Sequence, residues 1–238
     1  MNLALACRPA PSAARGRASL CWISNATAFR LTSDLAGLGL SVPPLGWSLS
    51  QSGRGTLEVA GTLGTPVNVS RIALDAPGLN LAGRIDLSAN GQLAAARFSR
   101  VRAGGWLDAP VTLTGRGAGR APGITISGGR VDLRNNAVAG GGGGGGGAQA
   151  GGPLTVTLDR LDVTDAIALT GFRAEFANSS QLDGLFTGRV NDQAPIRGRI
   201  APMKGASAVR IQSDNAGQAI AAAGLLRQAR DGVMDLVL

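Results

Sequence analysis

"VSRIALDAPGLNLAG", Val69 to Gly83, decides how the rest of this 238-residue chain is read. Apolar and polar residues alternate on both sides of Ala76-Pro77-Gly78, and a period of two marks a half-buried strand. Pro-Gly supplies a turn, so the stretch is a hairpin. Its apolar phase slips once, because Val67 and Val69 are odd-numbered while Ile72 and Leu74 are even. A one-residue slip moves side chains to the other face, so a bulge or bend is expected at Ser70-Arg71.

The same core recurs in "FSRVRAGGWLDAPVTLTG" (98–115) and "LDRLDVTDAIALTG" (158–171). Each runs apolar, Ser or Asp, Arg, apolar, then a turn and a second strand ending Leu-Ala/Thr-Gly. Around these cores Leu79, Leu81, Ile85 and Leu87 alternate with polar or small residues, as do Leu154, Val156 and Leu158. Such alternation extends from Phe29 to Gln212. The intervals are too short for crossover helices, which predicts a mainly β, predominantly antiparallel sheet of repeated hairpins.

One stretch reads differently. "SDNAGQAIAAAGLLRQARDG" predicts a short C-terminal α-helix over about 214–230, with Ser213 or Asp214 as N-cap and Gly232 as its stop. Ala216, Ile220 and Ala223, extended by Leu226, would form its apolar face. "VMDLVL" then reaches the last residue as a bare strand, and such an edge invites pairing, so a fragment of a longer protein is expected.

Eight consecutive glycines, Gly140 to Gly147, lack the Gly-Lys-Ser/Thr of a phosphate loop and read as a flexible tract. They divide the chain into a first β-sheet portion (28–134), a glycine-rich loop or linker (135–152) and a second β-sheet portion (153–238). Residues 1–27 contain no acid and hold both cysteines, Cys7 and Cys21. They have neither a charged n-region nor a long enough apolar h-region, so no signal peptide is read and a disordered or misassigned segment is expected. The longest apolar window, Ala219 to Leu226, falls short of the ~20 residues that span a bilayer.

The net charge of +8 comes from arginines spread along the chain, with a single lysine, Lys204. No aromatic residues interleave with them as base-stacking platforms, so nucleic acid is not expected as a partner. There is no histidine, and no cysteine lies in the patterned region. Imidazole- and thiol-based catalysis and metal binding are thereby excluded. The carboxylates sit at strand ends or in turns, and Asp34 reads as a turn acid bonding local amides. No catalytic residue, metal or cofactor is assigned, and a non-enzymatic chain is expected.

Two stretches resemble a known family. "LTSDLAGLGLSVPPLGW" (31–47) and "VRIQSDNAGQAIAAAGLLRQARDGVMDLVL" (209–238) are similar to elements of the AsmA-like proteins of Gram-negative envelopes, in the YhdP-like branch with its AsmA-like C-terminal region. Members carry an N-terminal membrane anchor and many more repeats. The resemblance implies a long twisted sheet curled into a groove, apolar inside and polar outside. Such a groove bridges the periplasm from an inner-membrane anchor and carries phospholipid acyl chains between inner and outer membranes. Leu38, Leu40, Leu79, Leu81, Ile85, Leu87, Leu154 and Val156 are the candidate groove stripe. The core of an ordinary two-sheet sandwich is the less favoured reading of the same residues.

A secreted structural or adhesive β-repeat protein, of the autotransporter-passenger kind, is the alternative. It requires a regular period, whereas the repeat cores run 14, 17 and 13 residues from their first apolar residue to their final glycine. A membrane barrel would need aromatic girdles, and the chain has three Trp and no Tyr.

Overall fold

The computed structural model describes residues 5–9, 18–23, 28–135, 151–179, 182–203, 206–224 and 234–237. The chain is mainly β, with a large and mostly antiparallel sheet and one short helix near its C-terminal end. It divides into two compact units, residues 1–105 with 110–118, and 106–109 with 119–238.

The first unit contains β1 (Leu5–Pro9), β2 (Ala18–Ile23), β3 (Ala28–Ser33), β4 (Leu40–Val42), β5 (Trp47–Leu49), β6 (Thr56–Thr62), β7 (Asn68–Ala76), β8 (Leu79–Leu87) and β9 (Leu93–Ala103). All but β4 and β5 pair with their neighbours in that order, antiparallel throughout. β1 and β2 fall inside residues 1–27, the segment left without structure by sequence, and the remainder of that segment lies outside the described residues.

The phase slip in Val69–Gly83 is a bulge. Val69 pairs with Ile85 and Ile72 with Gly83, so Ser70-Arg71 carries one residue more than β8 offers. Ser99 is likewise an extra residue against β8, between the pairs Arg100–Ala82 and Phe98–Gly83. The Ser70 hydroxyl donates to the Ala60 carbonyl at 3.3 Å and the Ser99 hydroxyl to that of Ala82 at 3.2 Å. Glycine follows in both neighbouring strands, and it has to. A Cβ on Gly61 would lie 2.0 Å from the Asn68 carbonyl oxygen, and one on Gly83 would lie 2.3 Å from that of Arg97. Bulge and glycine are therefore one device, bringing backbones together where a side chain cannot fit.

β10 (Leu107–Thr114) is divided between the units, its first three residues going with the second. That second unit holds β11 (Gly123–Ser127), β12 (Arg130–Asp132), β13 (Leu154–Asp162), β14 (Ala168–Phe176), β15 (Gly184–Val190), β16 (Ala194–Met203), β17 (Ala206–Ser213), α1 (Ala216–Ala222) and β18 (Met234–Val237). From β13 to β18 the pairing is antiparallel.

β11 and β12 instead pair with β13 in parallel, which departs from the antiparallel expectation. More than a dozen residues separate β12 from β13, enough for the crossover that parallel pairing requires, and the glycine tract lies in this connection. The two compact units divide the chain near residues 105–119.

At the third repeat core, Asp159 and Arg160 are both exposed between buried Leu158 and Leu161, so the slip is present. Their amides share the Gly129 carbonyl at 2.9 and 3.3 Å, and the Asp159 carboxylate accepts from the Gly129 amide at 2.8 Å. The register shift next to this core falls on β14, between Thr170 and Arg173 against β15.

α1 begins one residue later than Asp214, and two later than Ser213, would dictate as caps. Asn215 caps it, accepting from the Gln218 amide at 2.8 Å. Ser213 is buried, and its hydroxyl bonds the Pro195 carbonyl at 3.1 Å, which removes it from capping. Gly217, Ala219 and Ala222 are buried in place of the expected Ala216, Ile220 and Ala223 face, because the helix lies against β16 on that side. The part of the expected helix beyond Gly224 lies outside the described residues until β18. Asn191, at φ 46°, ties the helix down: its amide nitrogen donates to the carbonyls of Ala222 at 2.6 Å and Ala166 at 2.8 Å, while its oxygen accepts from Ala168.

Candidate functional site

In the first unit, strand register sorts side chains into two faces. Ser33, Leu57, Leu74, Leu81 and Val101 form one row across five strands, and Leu31, Val59, Ile72, Gly83 and Phe98 form the next row on the same side. The bulges keep these rows aligned, because each inserts its extra residue where the phase would otherwise invert. Beyond them Val69, Ile85 and Ala96 make a third row, followed by Leu87 opposite Leu93. Leu57, Val59, Ile72, Leu74, Leu81, Ile85, Leu87 and Phe98 are all half-buried. Interior residues of a packed sandwich would be buried outright.

The opposite face is charged. Arg30 pairs with Glu58 at 2.6 Å, Arg71 approaches the same carboxylate at 3.6 Å, Arg97 pairs with Asp86, and Asn80 donates to Asp75. An open concavity of about 1020 Å³ lies on this polar side. Its lining takes in both polar rows, with Glu58, Asp75, Asn80, Arg100 and Arg102, and only the leucine row between them. The local hollow of this unit is therefore not the apolar side that the resemblance implies.

The eight candidate residues separate accordingly. Leu81, Ile85 and Leu87 share the half-buried apolar face, with Leu79 on the same face at its end but only 1% exposed. Leu38 and Leu40 stand off the large sheet. Leu38 is in a turn segment and 41% exposed, while Leu40 begins β4, which pairs only with β5. The Trp47 indole N–H donates to the Pro77 carbonyl at 2.8 Å, anchoring that hairpin beside the β7–β8 turn. Leu35, Trp47, Leu49, Ala76, Leu79 and Ala103 are buried, so the apolar face of this unit is covered at the turn end. Asp34 is the turn acid expected, its carboxylate accepting from the Ala36 amide at 3.2 Å.

Leu154 and Val156 belong to the second unit, whose apolar face is packed. Val156, Leu158, Phe172, Phe186, Val190, Ala194 and Ile196 are buried, and the rings of Phe172 and Phe186 stack with centroids 5.9 Å apart. Leu154 remains half-buried at the far end of the row that contains Phe176 and Ile200. Sequence reading missed Leu31, Leu57, Val59, Leu74 and Phe98 as members of the open stripe, although their strands carry the same alternation.

A second cluster lies along β12 and β13. Residues 124–132, "ITISGGRVD", pair in parallel with residues 154–162, "LTVTLDRLD", at one constant offset of 30 (124 to 154). Thr stacks on Thr, Arg130 on Arg160 and Asp132 on Asp162. Both aspartates are buried. Arg130 and Arg160 reach Asp162 at 2.5 and 2.8 Å, and Arg134 reaches Asp132 at 2.6 Å and Asp165 at 2.8 Å. The Arg134 hydrogen bond holds the Asp132 carboxyl well below the usual carboxylate range. Burial would raise that of Asp162, but the bonds from Arg130 and Arg160 outweigh it and hold it low. Carboxylates fixed in this way serve as counter-ions to the arginines.

Among the described residues no group of acidic, histidine or cysteine side chains could hold a metal, and no helix is long and apolar enough to cross a membrane. Compared with protein-family models, with curated proteins and with solved structures, the chain matches none.

Proposed function

We propose that this chain is a segment of an AsmA-like periplasmic protein that binds phospholipid acyl chains and conducts them between inner and outer membranes. The observation that carries this reading is the apolar face of the first unit, where Leu57, Leu74 and Leu81 in one row and Leu31, Val59, Ile72 and Phe98 in the next stay half-buried, with only Val101 at the end of the first row buried. Fully burying a leucine-sized side chain is worth about 1.5–3 kcal/mol, and each buried methylene about 0.8. A half-covered row leaves much of that ungained. An acyl chain laid along it would supply the missing contact without any directional bond, as sliding requires. The stripe is aliphatic apart from Phe98, and it runs along the strands from Leu81 through Ile85 to Leu87.

Purification without detergent, followed by extraction and mass spectrometry, tests the reading. Phospholipid is expected in stoichiometric amount. Its consistent absence, with Leu81 and Ile85 inaccessible to an apolar probe, overturns it.

The in-register parallel pairing of residues 124–132 with 154–162 favours a second reading, a secreted structural or adhesive β-repeat protein, because such stacking is how solenoids grow. That reading predicts a chain free of lipid whose first unit associates with itself through the apolar rows.

A further inference from the structure

On the polar face of β14, β15 and β16, three arginines surround a shallow depression of about 360 Å³. Register places Arg173, Thr187, Arg197 and Gln212 in one row, with Arg189 beside it on β15. Gly171 and Gly188 reach the depression with bare backbone. Gly171 sits at the register shift between Thr170 and Arg173, with φ 54°, and a Cβ there would meet nothing within 4 Å. The bulge thus opens space next to Arg173 and re-aims that side chain.

The three guanidinium groups are engaged differently. Arg197 is committed to Asp214 at 2.9 and 3.2 Å. Arg189 donates to the carbonyls of Asp192 and Gln193 at 3.2 and 3.0 Å, which fixes its direction, and it forms no ion pair among the described residues. Arg173 makes no hydrogen bond or ion pair among the described residues. Glu175 is the next residue on the same face of β14, and among the described residues it forms no ion pair with Arg173. Arg173 and Arg189 thus line the depression with no ion-pair partner among the described residues, Thr187 and Gln212 line it beside them, and Asp214, held by Arg197, is the one acid in its lining.

A planar fork of donors fits a tetrahedral oxyanion at two points, and charge-assisted bonds of this kind are about twice as strong as neutral ones. We propose that this depression binds a phosphate group, carried either by a free phosphate or by an anionic lipid headgroup. It lies in the second unit, apart from the aliphatic rows, so it stands or falls independently of lipid binding by the first unit.

The test uses the full chain labelled with 15N, titrated with inorganic phosphate against sodium chloride at matched ionic strength. Saturable shifts are expected at the backbone amides of Gly171, Thr187 and Gly188. Arg173→Gln should weaken binding about fivefold or more, with Arg173→Lys between the two. Among the described residues Arg173 has no bond to lose, so the variant should keep its fold, which circular dichroism checks. Shifts that fail to saturate, that appear equally around Arg30, Arg71 and Arg97, or that survive unchanged in Arg173→Gln overturn the proposal. Cosedimentation with phosphatidylglycerol vesicles, against phosphatidylcholine vesicles, then separates the sources. If Arg173→Gln loses both phosphate and vesicle binding, the site takes a lipid headgroup. If it loses phosphate binding alone, the site takes the free anion.

Discussion

Asp132 and Asp162 are register partners in a parallel strand pair, both buried, with Arg130 within reach of both carboxylates. Two like charges on adjacent strands would repel, so the interleaved arginines are a condition of the pairing. Asp162 titrates below its unfolded value of about 4. A carboxyl depressed on folding stabilises the protein above its unfolded value, and that contribution is lost as pH falls through its folded value. The urea midpoint should accordingly fall between pH 6 and pH 3, and the fall should be smaller in Asp162→Asn.

Arg130 and Arg160 share Asp162, and both are about half exposed. Either one alone can neutralise the carboxylate, so Arg130→Gln or Arg160→Gln should each cost less than about 1 kcal/mol. The double variant leaves Asp162 buried and uncompensated and should cost about 2–3 kcal/mol, more than the sum. Equilibrium urea denaturation of the four proteins in the cycle measures the coupling.

Gly83 and Gly188 look alike in sequence and differ in the room behind them. A Cβ on Gly83 would sit 2.8 Å from the Phe98 Cα as well as against the Arg97 carbonyl, whereas one on Gly188 would meet its neighbours at 3.6 Å or more. Gly83→Ala should therefore destabilise by about 2 kcal/mol or more by forcing β8 and β9 apart. Gly188→Ala should be close to neutral. Thermal unfolding followed by circular dichroism distinguishes them.

Leu74 and Leu81 are paired across β7 and β8 in the leucine row. Replacing both by threonine keeps strand propensity and removes aliphatic surface. Phospholipid recovered per protein should drop to about half or less. Leu185 is 64% exposed on the polar face of the second unit and serves as the control: Leu185→Thr should leave recovery unchanged.

What the sequence disclosed followed from how local its cause was. The slips at Ser70-Arg71 and Ser99-Arg100 are written in three or four consecutive residues, and the bulges occur there. The parallel pairing depends on two segments separated by the glycine tract. Their likeness is masked where Gly128-Gly129 stands opposite Leu158-Asp159. The helix cap went to Asn215 because Ser213 finds a partner on β16, a residue 18 positions away that no local rule includes. Alternation likewise placed Leu38 and Leu40 on a strand but could not say that β4 would leave the large sheet for β5.

The stacking of residues 124–132 on 154–162 also bears on how this chain can change length. A strand whose partner is nearly a copy of itself, in the same direction and at constant offset, carries its own alignment rule. Duplication of one such block would insert a layer that fits both neighbours, arginine over arginine and aspartate over aspartate. Loss of one would close the gap in the same way. Variation in whole layers, rather than in single residues, is the kind of growth this part of the molecule tolerates.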